Sequence, residues 1–312
     1  MTKILNIVNG DTVLNNMQKA NIVGSFLPWG DFLHDGAVPQ DLSLEELSKV
    51  RAEFISQKGL GEFDKIYQEF KDRDSMLKKF KKYTKIFLWF ENDIYDQLQL
   101  IQVLDWFAKY ASNNTNIYIV YPENYLVNST PKELNSFLLY NKEFVTHNHF
   151  ITARKAWGAF RSKTPYAWYK LLDDDTDRLP FLKDTVKRVL EEYPNSINGL
   201  SRTQHQILLS ISKNNHNPTN IFNDCQKLEE RAFIGEIIFI HILKELVELN
   251  LLNSVKNGKY MELTSLGQDI LDRRENLFNI TKVDRWIGGV HITNNNPWCW
   301  NIKYRKLLKC DF

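Results

Sequence analysis

The segment Lys85–Tyr110 constrains the fold of this chain more than any other segment. It begins with five apolar residues, Ile86–Phe90, and a run of that length between polar residues is typical of a strand buried on both faces. The polar turn Glu91–Asp93 follows at once, and apolar residues then recur at helical spacing as far as Ala108. A buried strand, an acidic turn and a helix form half of a βαβ unit, in which ligands bind beyond the carboxyl ends of the strands. The segment therefore predicts a sheet covered by helices and the edge where a site would lie.

Three further apolar runs predict the remaining strands of the same sheet. They are Ile4–Val8, Ile22–Leu27 and Ile117–Tyr121, and helix-compatible segments separate them. Because strands and helices alternate, residues 1–145 are predicted to form an α/β domain. Its sheet should be Rossmann-like and mostly parallel, with helices on both faces.

The rest of the chain is predicted to form two further parts. Residues 146–198 should be a helical connecting segment that ends in the linker Tyr193–Gly199, which contains a proline and a glycine. Beyond it, Ser201–Gln204 fits a capping box, and Asn257-Gly258 lies between two strand-like runs as in a tight hairpin. Three helices, a hairpin and a closing helix predict a winged-helix-like domain over residues 199–312.

Composition excludes several classes of protein. A hydrophobic content of 43% is ordinary for a globular domain, and Lys+Arg 40 against Asp+Glu 38 gives a net charge of +2, too small to indicate non-specific binding to nucleic acid or anionic membranes. No apolar run reaches the roughly 18 residues of a membrane helix, and the amino terminus has no signal-peptide pattern. The three cysteines, Cys225, Cys299 and Cys310, lack metal-binding spacing. We therefore expect a cytoplasmic location, no zinc site and no disulfide framework.

Several short motifs together suggest a family. They are NGDT at 9–12, LPW at 27–29, LHDGAVP at 33–39, LWFENDIYDQLQL at 88–100, AWGAF at 156–160, GLSRT at 199–203 and RWIGGVH at 285–291. In this order they resemble a bacterial family known as domain of unknown function 1835, and the resemblance covers nearly the whole chain. One departure is Trp298–Asn301, where an arginine and an aspartate are expected around the two tryptophans. The resemblance implies a domain organisation and no established activity.

Polar residues follow the predicted strands, so we expect them to meet along one edge of the sheet. They are Gly10, Asp11 and Thr12 after the first strand, Trp29, Asp31 and His34 after the second, Glu91, Asp93, Asp96 and Gln97 after the third, and Glu123 after the fourth. Glu91, Asp93 and His34 are the candidate catalytic residues. Asp11, Glu91 and Asp93 could hold a divalent cation, since such ions prefer oxygen ligands. The other residues would contact a ligand.

Each of these residues also has a structural interpretation. Asp93 suits the N-cap of the helix that follows it, and Asp11 or Thr12 could cap the first helix. Trp29 would ordinarily belong to the core. Glu91 is harder to explain in this way, because a carboxylate directly after a buried strand is costly unless it reaches water, a partner or a ligand.

Two functions remain open. The leading hypothesis is a small-molecule site for a nucleotide- or sugar-like ligand, in which a metal ion could assist an enzymatic reaction. Neither GxGxxG nor GxxxxGK[ST] occurs, and the basic residues Lys78–Lys82, Arg154, Lys155 and Arg161 are expected on solvated helix faces. The alternative is a ligand-sensing regulator whose winged helix contacts DNA or a protein. DNA is the less favoured partner, because the predicted third helix carries three glutamates against one lysine.

Overall fold

The computed structural model describes residues 3–112, 115–213 and 216–310, and the chain divides into two compact units. Unit 1 runs as far as Thr185 and also contains Gly288–Val290. Unit 2 comprises Val186–Ile287 and the chain from His291 onward.

A five-stranded sheet organises unit 1. Its strands are β1 (Ile4–Val8), β2 (Ser25–Pro28), β4 (Lys85–Trp89), β5 (Asn116–Val120) and β6 (Lys142–Phe144), in the order β2-β1-β4-β5-β6, and β3 (Gly36–Ala37) is a separate two-residue strand. The pairs β1–β2, β1–β4 and β4–β5 are parallel, whereas β5–β6 is antiparallel. The prediction of a mostly parallel α/β sheet is confirmed. The strand β6 was not predicted, because this edge strand contains no apolar run.

Helices cover both faces of this sheet. The helices of unit 1 are α1 (Asp11–Lys19), α2 (Leu44–Gln57), α3 (Phe63–Lys78), α4 (Ile94–Tyr110), α5 (Pro131–Tyr140), α6 (His147–Phe160) and α7 (Tyr166–Lys170), with 3-10 turns at Phe80–Lys82 and Leu126–Asn128. On one face α1 and α5 pack against Val8, Trp89 and Val120. Successive side chains of a strand point to opposite faces, and the intervening residues Ile7 and Leu88 are also fully buried. Both faces of the sheet therefore contribute to the core.

The division between the units differs from the predicted boundaries at 145/146 and 198/199. The helix α6 lies along α4, and residues 146–185 of the predicted connecting segment 146–198 belong to unit 1. The helix α8 (Leu182–Leu190) contains the division at Thr185. The predicted linker Tyr193–Gly199 instead lies within unit 2, where Asn198 donates from its side-chain amide to the carbonyl of Ile270.

Unit 2 contains helices followed by short strands. In order these are α9 (Arg202–Ser212), α10 (Pro218–Lys227), α11 (Glu236–Glu248), β7 (Leu252–Val255), β8 (Tyr260–Leu263), α12 (Ser265–Leu271), β9 (Asp284–Gly288), β10 (Val290–Thr293), β11 (Trp298–Asn301) and β12 (Lys306–Lys309). The adjoining ends of β9 and β10, at Gly288 and Val290, belong to unit 1. The capping box at Ser201 is confirmed, and β7 and β8 form the predicted antiparallel hairpin. Asn257 and Gly258 both have positive φ in its turn, which is why this dipeptide suits the position.

The prediction of a chain without disulfides was wrong. Cys299 and Cys310 are bonded, with their Cα atoms 6.0 Å apart. The antiparallel pairing of β11 with β12 brings the two residues together, since Cys299 lies opposite Leu308 and Cys310 follows β12 directly. Cys225 is a buried free thiol. Because disulfides form mainly in oxidising compartments, the prediction of a cytoplasmic location loses this support. None of the described helices is long and apolar enough to cross a membrane.

Candidate functional site

The strand order reverses between β1 and β4, and the strand ends on either side of this point are called the strand-end crevice. From β1 the chain passes to β2 on one side, and it returns to β4 on the other side of β1. Ligands of open α/β sheets bind where the strand order reverses in this way, beyond the carboxyl ends of the strands. The segments that leave these two strand ends are Asn9–Asp11 and Glu91–Asp96.

Three carboxylates at this crevice accept hydrogen bonds from the main chain. Asp93 is the N-cap of α4 and accepts from the Asp96 amide at 2.9 Å, which confirms its structural interpretation. Asp96 accepts from the Glu91 amide at 2.5 Å and from the side-chain amide of Asn9 at 3.0 Å. Glu91 accepts from the amide of Leu126 at 2.5 Å. The acidic turn is thereby tied to the loop after β1 and to the turn after β5.

These carboxylates are all buried. No Lys or Arg in the described part of the chain forms an ion pair with any of them. Burial, with repulsion from Asp93, raises the pKa of Glu91 to about 7, and burial raises the pKa of Asp93 to about 6. Burial and repulsion from Asp93 and Glu91 also raise the pKa of Asp96 well above its usual range. The cluster therefore takes up protons near neutral pH.

The loop after β2 is held by two buried arginines that sequence reasoning missed. Arg51 donates from Nε to the Asp31 carboxylate at 2.9 Å, and it also donates to the carbonyls of Phe32, Asp35 and Ala37. Arg73 donates to the carbonyl of Trp29 and lies 4.3 Å from the centre of its indole ring. Helical spacing gives one signal for Arg51, which is four residues from both Leu47 and Ile55 on the buried face of α2.

The other predicted residues of this loop are buried as well. Trp29 donates from its indole nitrogen to Gln102 at 2.8 Å, and Gln99 donates to the carbonyl of Asp31 at 2.9 Å. The His34 ring lies edge-on to Tyr95, with the ring centres 6.3 Å apart. The structure thus packs Trp29, Asp31 and His34 into the interior of unit 1.

Two of the predicted residues after β1 are exposed, whereas the carboxylates of the acidic turn are buried. Asp11 and Thr12 are exposed in the first turn of α1, and the N-cap is Gly10, so the prediction that Asp11 or Thr12 caps this helix was wrong. Gln97 does join the acidic turn, because it donates to the Glu91 carbonyl at 2.6 Å.

The geometry does not support the predicted divalent-cation site. Among the described residues, no three His, Cys, Asp or Glu side chains are grouped so that they could hold a metal ion. Glu91 and Asp93 each direct an oxygen to a main-chain amide, whereas Asp11 lies on the surface. Glu123, the predicted residue after β5, is also exposed and accepts from the side-chain amide of Asn141.

A second candidate site lies along the carboxyl-terminal half of α4. It is a cavity of about 490 Å³ between the start of α2, the end of α3, α4 and the end of α6. Its lining residues are Leu42, Ser43, Leu44, Glu45, Leu47, Lys78, Phe80, Lys81, Gln102, Asp105, Trp106, Lys109, Tyr110, Trp157 and Arg161. None of the predicted site residues belongs to this set.

The buried part of the lining contains aromatic side chains, one guanidinium and the carboxylate of Asp105. Trp106 packs edge-on to Phe80, with the ring centres 5.5 Å apart, and Trp157 is also buried. Arg161 lies 5.4 Å from the centre of the Trp157 ring and donates to the carbonyls of Pro39 at 2.8 Å and Leu42 at 3.1 Å. Burial lowers the pKa of Arg161 from its ordinary value.

The exposed part of the lining is mostly basic. Lys78 pairs with Glu45, and Lys109 pairs with Asp105 at 3.2 Å. No carboxylate in the described ranges forms an ion pair with Lys81. The sequence prediction assigned Lys78–Lys82 and Arg161 to solvated helix faces, which is wrong for Arg161 because that residue is buried.

Comparison with models of known protein families found no match, and comparison with curated protein sequences found none either.

Proposed function

We propose that unit 1 binds a small molecule, nucleotide-like or sugar-like, in the cavity along α4. The observation that carries this proposal is the cavity itself, because it combines about 490 Å³ of space with buried aromatic side chains and a few charged groups. Ligand sites in proteins are typically clefts of about 300–1,000 Å³ with this kind of lining.

The strand-end crevice is the second candidate location, and the reversal of strand order supports it. Its weakness is that Glu91, Asp93 and Asp96 are buried and already accept hydrogen bonds, so a ligand would have to displace those bonds. A pKa of about 7 would suit Glu91 for general acid–base catalysis if a substrate entered the crevice. The open part of this location is the exposed pair Asp11 and Thr12.

A thermal-shift screen of nucleotides and sugars tests the proposal and separates the two locations. A ligand at 100 times its Kd stabilises a protein by about 2.7 kcal/mol, which raises Tm by several degrees. Leu44→Trp adds bulk at a half-buried lining position of the cavity, so it should abolish the shift. Leu139→Trp is the matched control, since Leu139 is 65% exposed on α5 and lies outside the cavity lining.

Equal shifts in wild type and Leu44→Trp, together with a loss of the shift in Asp11→Asn, would move the ligand to the strand ends. The absence of any shift at millimolar ligand would remove the small-molecule proposal for unit 1.

We infer for unit 2 a winged-helix-like arrangement that contacts a protein partner. The order α9, α10, α11, β7–β8 hairpin and α12 supports it. On α11 the charged residues Glu236, Lys244 and Glu248 are exposed, and Ile237 is 67% exposed, a surface that suits protein contact better than DNA phosphates. Fluorescence anisotropy of the full chain with random duplex DNA at physiological salt should show weak binding. Tight and steeply salt-dependent binding would instead favour a DNA-contacting regulator.

A further inference from the structure

We propose that the ligand of the cavity along α4 is a mononucleotide or a close chemical equivalent, a flat heteroaromatic ring that carries a phosphate. This inference rests on the proposed function and narrows its ligand class. Two features of the lining carry it: the aromatic surface and the distribution of charge.

The aromatic surface suits a planar ring. Trp106 and Tyr110 pack 4.7 Å apart between ring centres, and Tyr110 is 54% exposed, so its ring remains accessible at the mouth of the cavity. Trp157 supplies a second indole in the lining. Offset and edge-to-face packing of aromatic rings stabilises a bound ring. A nucleobase that stacks on an aromatic side chain binds more tightly than one without such a contact.

The distribution of charge suits an anion. The four cationic side chains of the lining, against the two carboxylates Glu45 and Asp105, leave it with a net charge of +2. The ion pairs of Lys78 with Glu45 and of Lys109 with Asp105 compensate two of the cations. Lys81 and Arg161 remain as the cations of the lining without an ion pair among the described residues.

Arg161 is the stronger of these two anion-binding groups. Arg161 is only 8% exposed, and its Nε and Nη2 atoms donate to the carbonyls of Pro39 and Leu42. Its Nη1 atom makes no hydrogen bond with a residue in the described ranges. Charge-assisted hydrogen bonds from a guanidinium to phosphate are short and strong. Asp105 and Asp41 attract Arg161 without forming an ion pair with it. A neutral sugar would bring no negative charge to Nη1 or to the Lys81 ammonium, whereas a phosphate would.

Titration calorimetry of the full chain with four probes tests the ligand class. Adenosine 5′-monophosphate has the ring and the phosphate, adenosine lacks the phosphate, ribose 5-phosphate lacks the ring, and glucose lacks both. We expect adenosine 5′-monophosphate to bind at least tenfold more tightly than each of the other probes. Its affinity should fall as KCl is added, because the contact with Lys81 is exposed to screening.

Two matched pairs of variants locate the contacts. Lys81→Glu should weaken binding of adenosine 5′-monophosphate about tenfold, whereas Lys82→Glu, an exposed neighbour outside the lining, should leave it unchanged. Tyr110→Ala should weaken the monophosphate and adenosine alike, whereas Tyr140→Ala should weaken neither, since Tyr140 is 81% exposed outside the lining.

These experiments distinguish a wrong ligand class from the absence of any small-molecule site in unit 1. If glucose or adenosine binds as tightly as the monophosphate and Leu44→Trp blocks that binding, the ligand class is wrong and the small-molecule site stands. Equal effects of Lys81→Glu and Lys82→Glu would also overturn the ligand class, because they would reflect only net charge. If no probe or screened compound binds, both proposals fail.

Discussion

The two ends of α4 are surrounded by opposite chemistry. At its amino-terminal end, Glu91, Asp93 and Asp96 are buried and hydrogen-bonded to main-chain amides. Among the described residues, no Lys or Arg forms an ion pair with them. Its carboxyl-terminal half faces a cavity with aromatic side chains and an excess of positive charge. The carboxylates with strongly raised pKa values lie at the amino-terminal end of α4, whereas the cavity lies along its carboxyl-terminal half. A raised pKa reports that a charge is desolvated, and a ligand also needs room to enter.

The same helix explains part of this difference. The first amides of a helix have no partner inside it, and Asp93 satisfies the amide of Asp96 in that turn. The helix dipole favours negative charge at this end and positive charge at the other, where Lys109 lies in the last turn. The acidic turn is thus well suited to a structural role, and it would need an opened crevice to reach a ligand.

The largest expected effect is the loss of stability when the Asp96 carboxylate is removed from the amino-terminal end of α4. Asp96→Ala leaves the Glu91 amide and the Asn9 side-chain amide without an acceptor inside the protein. An unsatisfied buried donor costs about 1–3 kcal/mol, so the free energy of unfolding should fall by about 3 kcal/mol. Urea denaturation at pH 7 measures this change.

Two controls accompany this measurement. Asp11→Ala at the exposed start of α1 and Lys81→Ala at the exposed edge of the cavity should each change stability by less than about 0.5 kcal/mol. A similarly small effect of Asp96→Ala would show that the carboxylates do not hold this turn together.

The sequence predicted the amino-terminal end of α4 better than the cavity. The strand, the acidic turn and the cap at Asp93 are local features. Apolar periodicity and helix capping each depend on residues only a few positions apart in the sequence, so both can be recognised there. The cavity is assembled from four separate segments, at 42–47, 78–81, 102–110 and 157–161. Only the last overlaps a short motif, AWGAF at 156–160, and that motif indicates no ligand. Arg51 and Arg73 were missed for a related reason, since a charged residue in a charged helix is expected in solvent until its partners are known. The bond between Cys299 and Cys310 likewise depends on a hairpin whose pairing the sequence did not indicate.

The second prediction concerns the pH dependence of the free energy of unfolding that Glu91 causes at the amino-terminal end of α4. The pKa of Glu91 is raised from an ordinary 4.5 to about 7 in the folded protein. Between these values the folded state keeps a proton that the unfolded state has released, so stability falls as pH rises from 4.5 to 7. Below 4.5 the contribution of Glu91 is fully present, and above about 7 it is lost. The fall should be on the order of 3 kcal/mol.

Glu91→Gln tests the origin of this pH dependence. Glutamine keeps an oxygen for the Leu126 amide and has no charge to desolvate. The variant should therefore unfold with the same free energy as wild type near pH 4 and with a larger one at pH 8. Denaturant titrations across this range measure the difference. Lys81→Gln should leave the slope unchanged, and a parallel slope in Glu91→Gln and wild type would place the titrating groups elsewhere.

The smallest expected effect separates the cap from the ligand site at Asp93. At pH 5 this carboxyl is mostly protonated, since burial raises its pKa to about 6. Asn caps a helix about as well as Asp, so Asp93→Asn should be nearly silent at this pH, whereas Asp93→Ala should cost about 1 kcal/mol. Both variants should bind adenosine 5′-monophosphate at pH 7 with wild-type affinity, because Asp93 does not line the cavity. If Asp93→Asn abolished that binding while Lys81→Glu spared it, the ligand would belong to the amino-terminal end of α4. The buried carboxylates would then be the site, and the cavity would be a feature of packing.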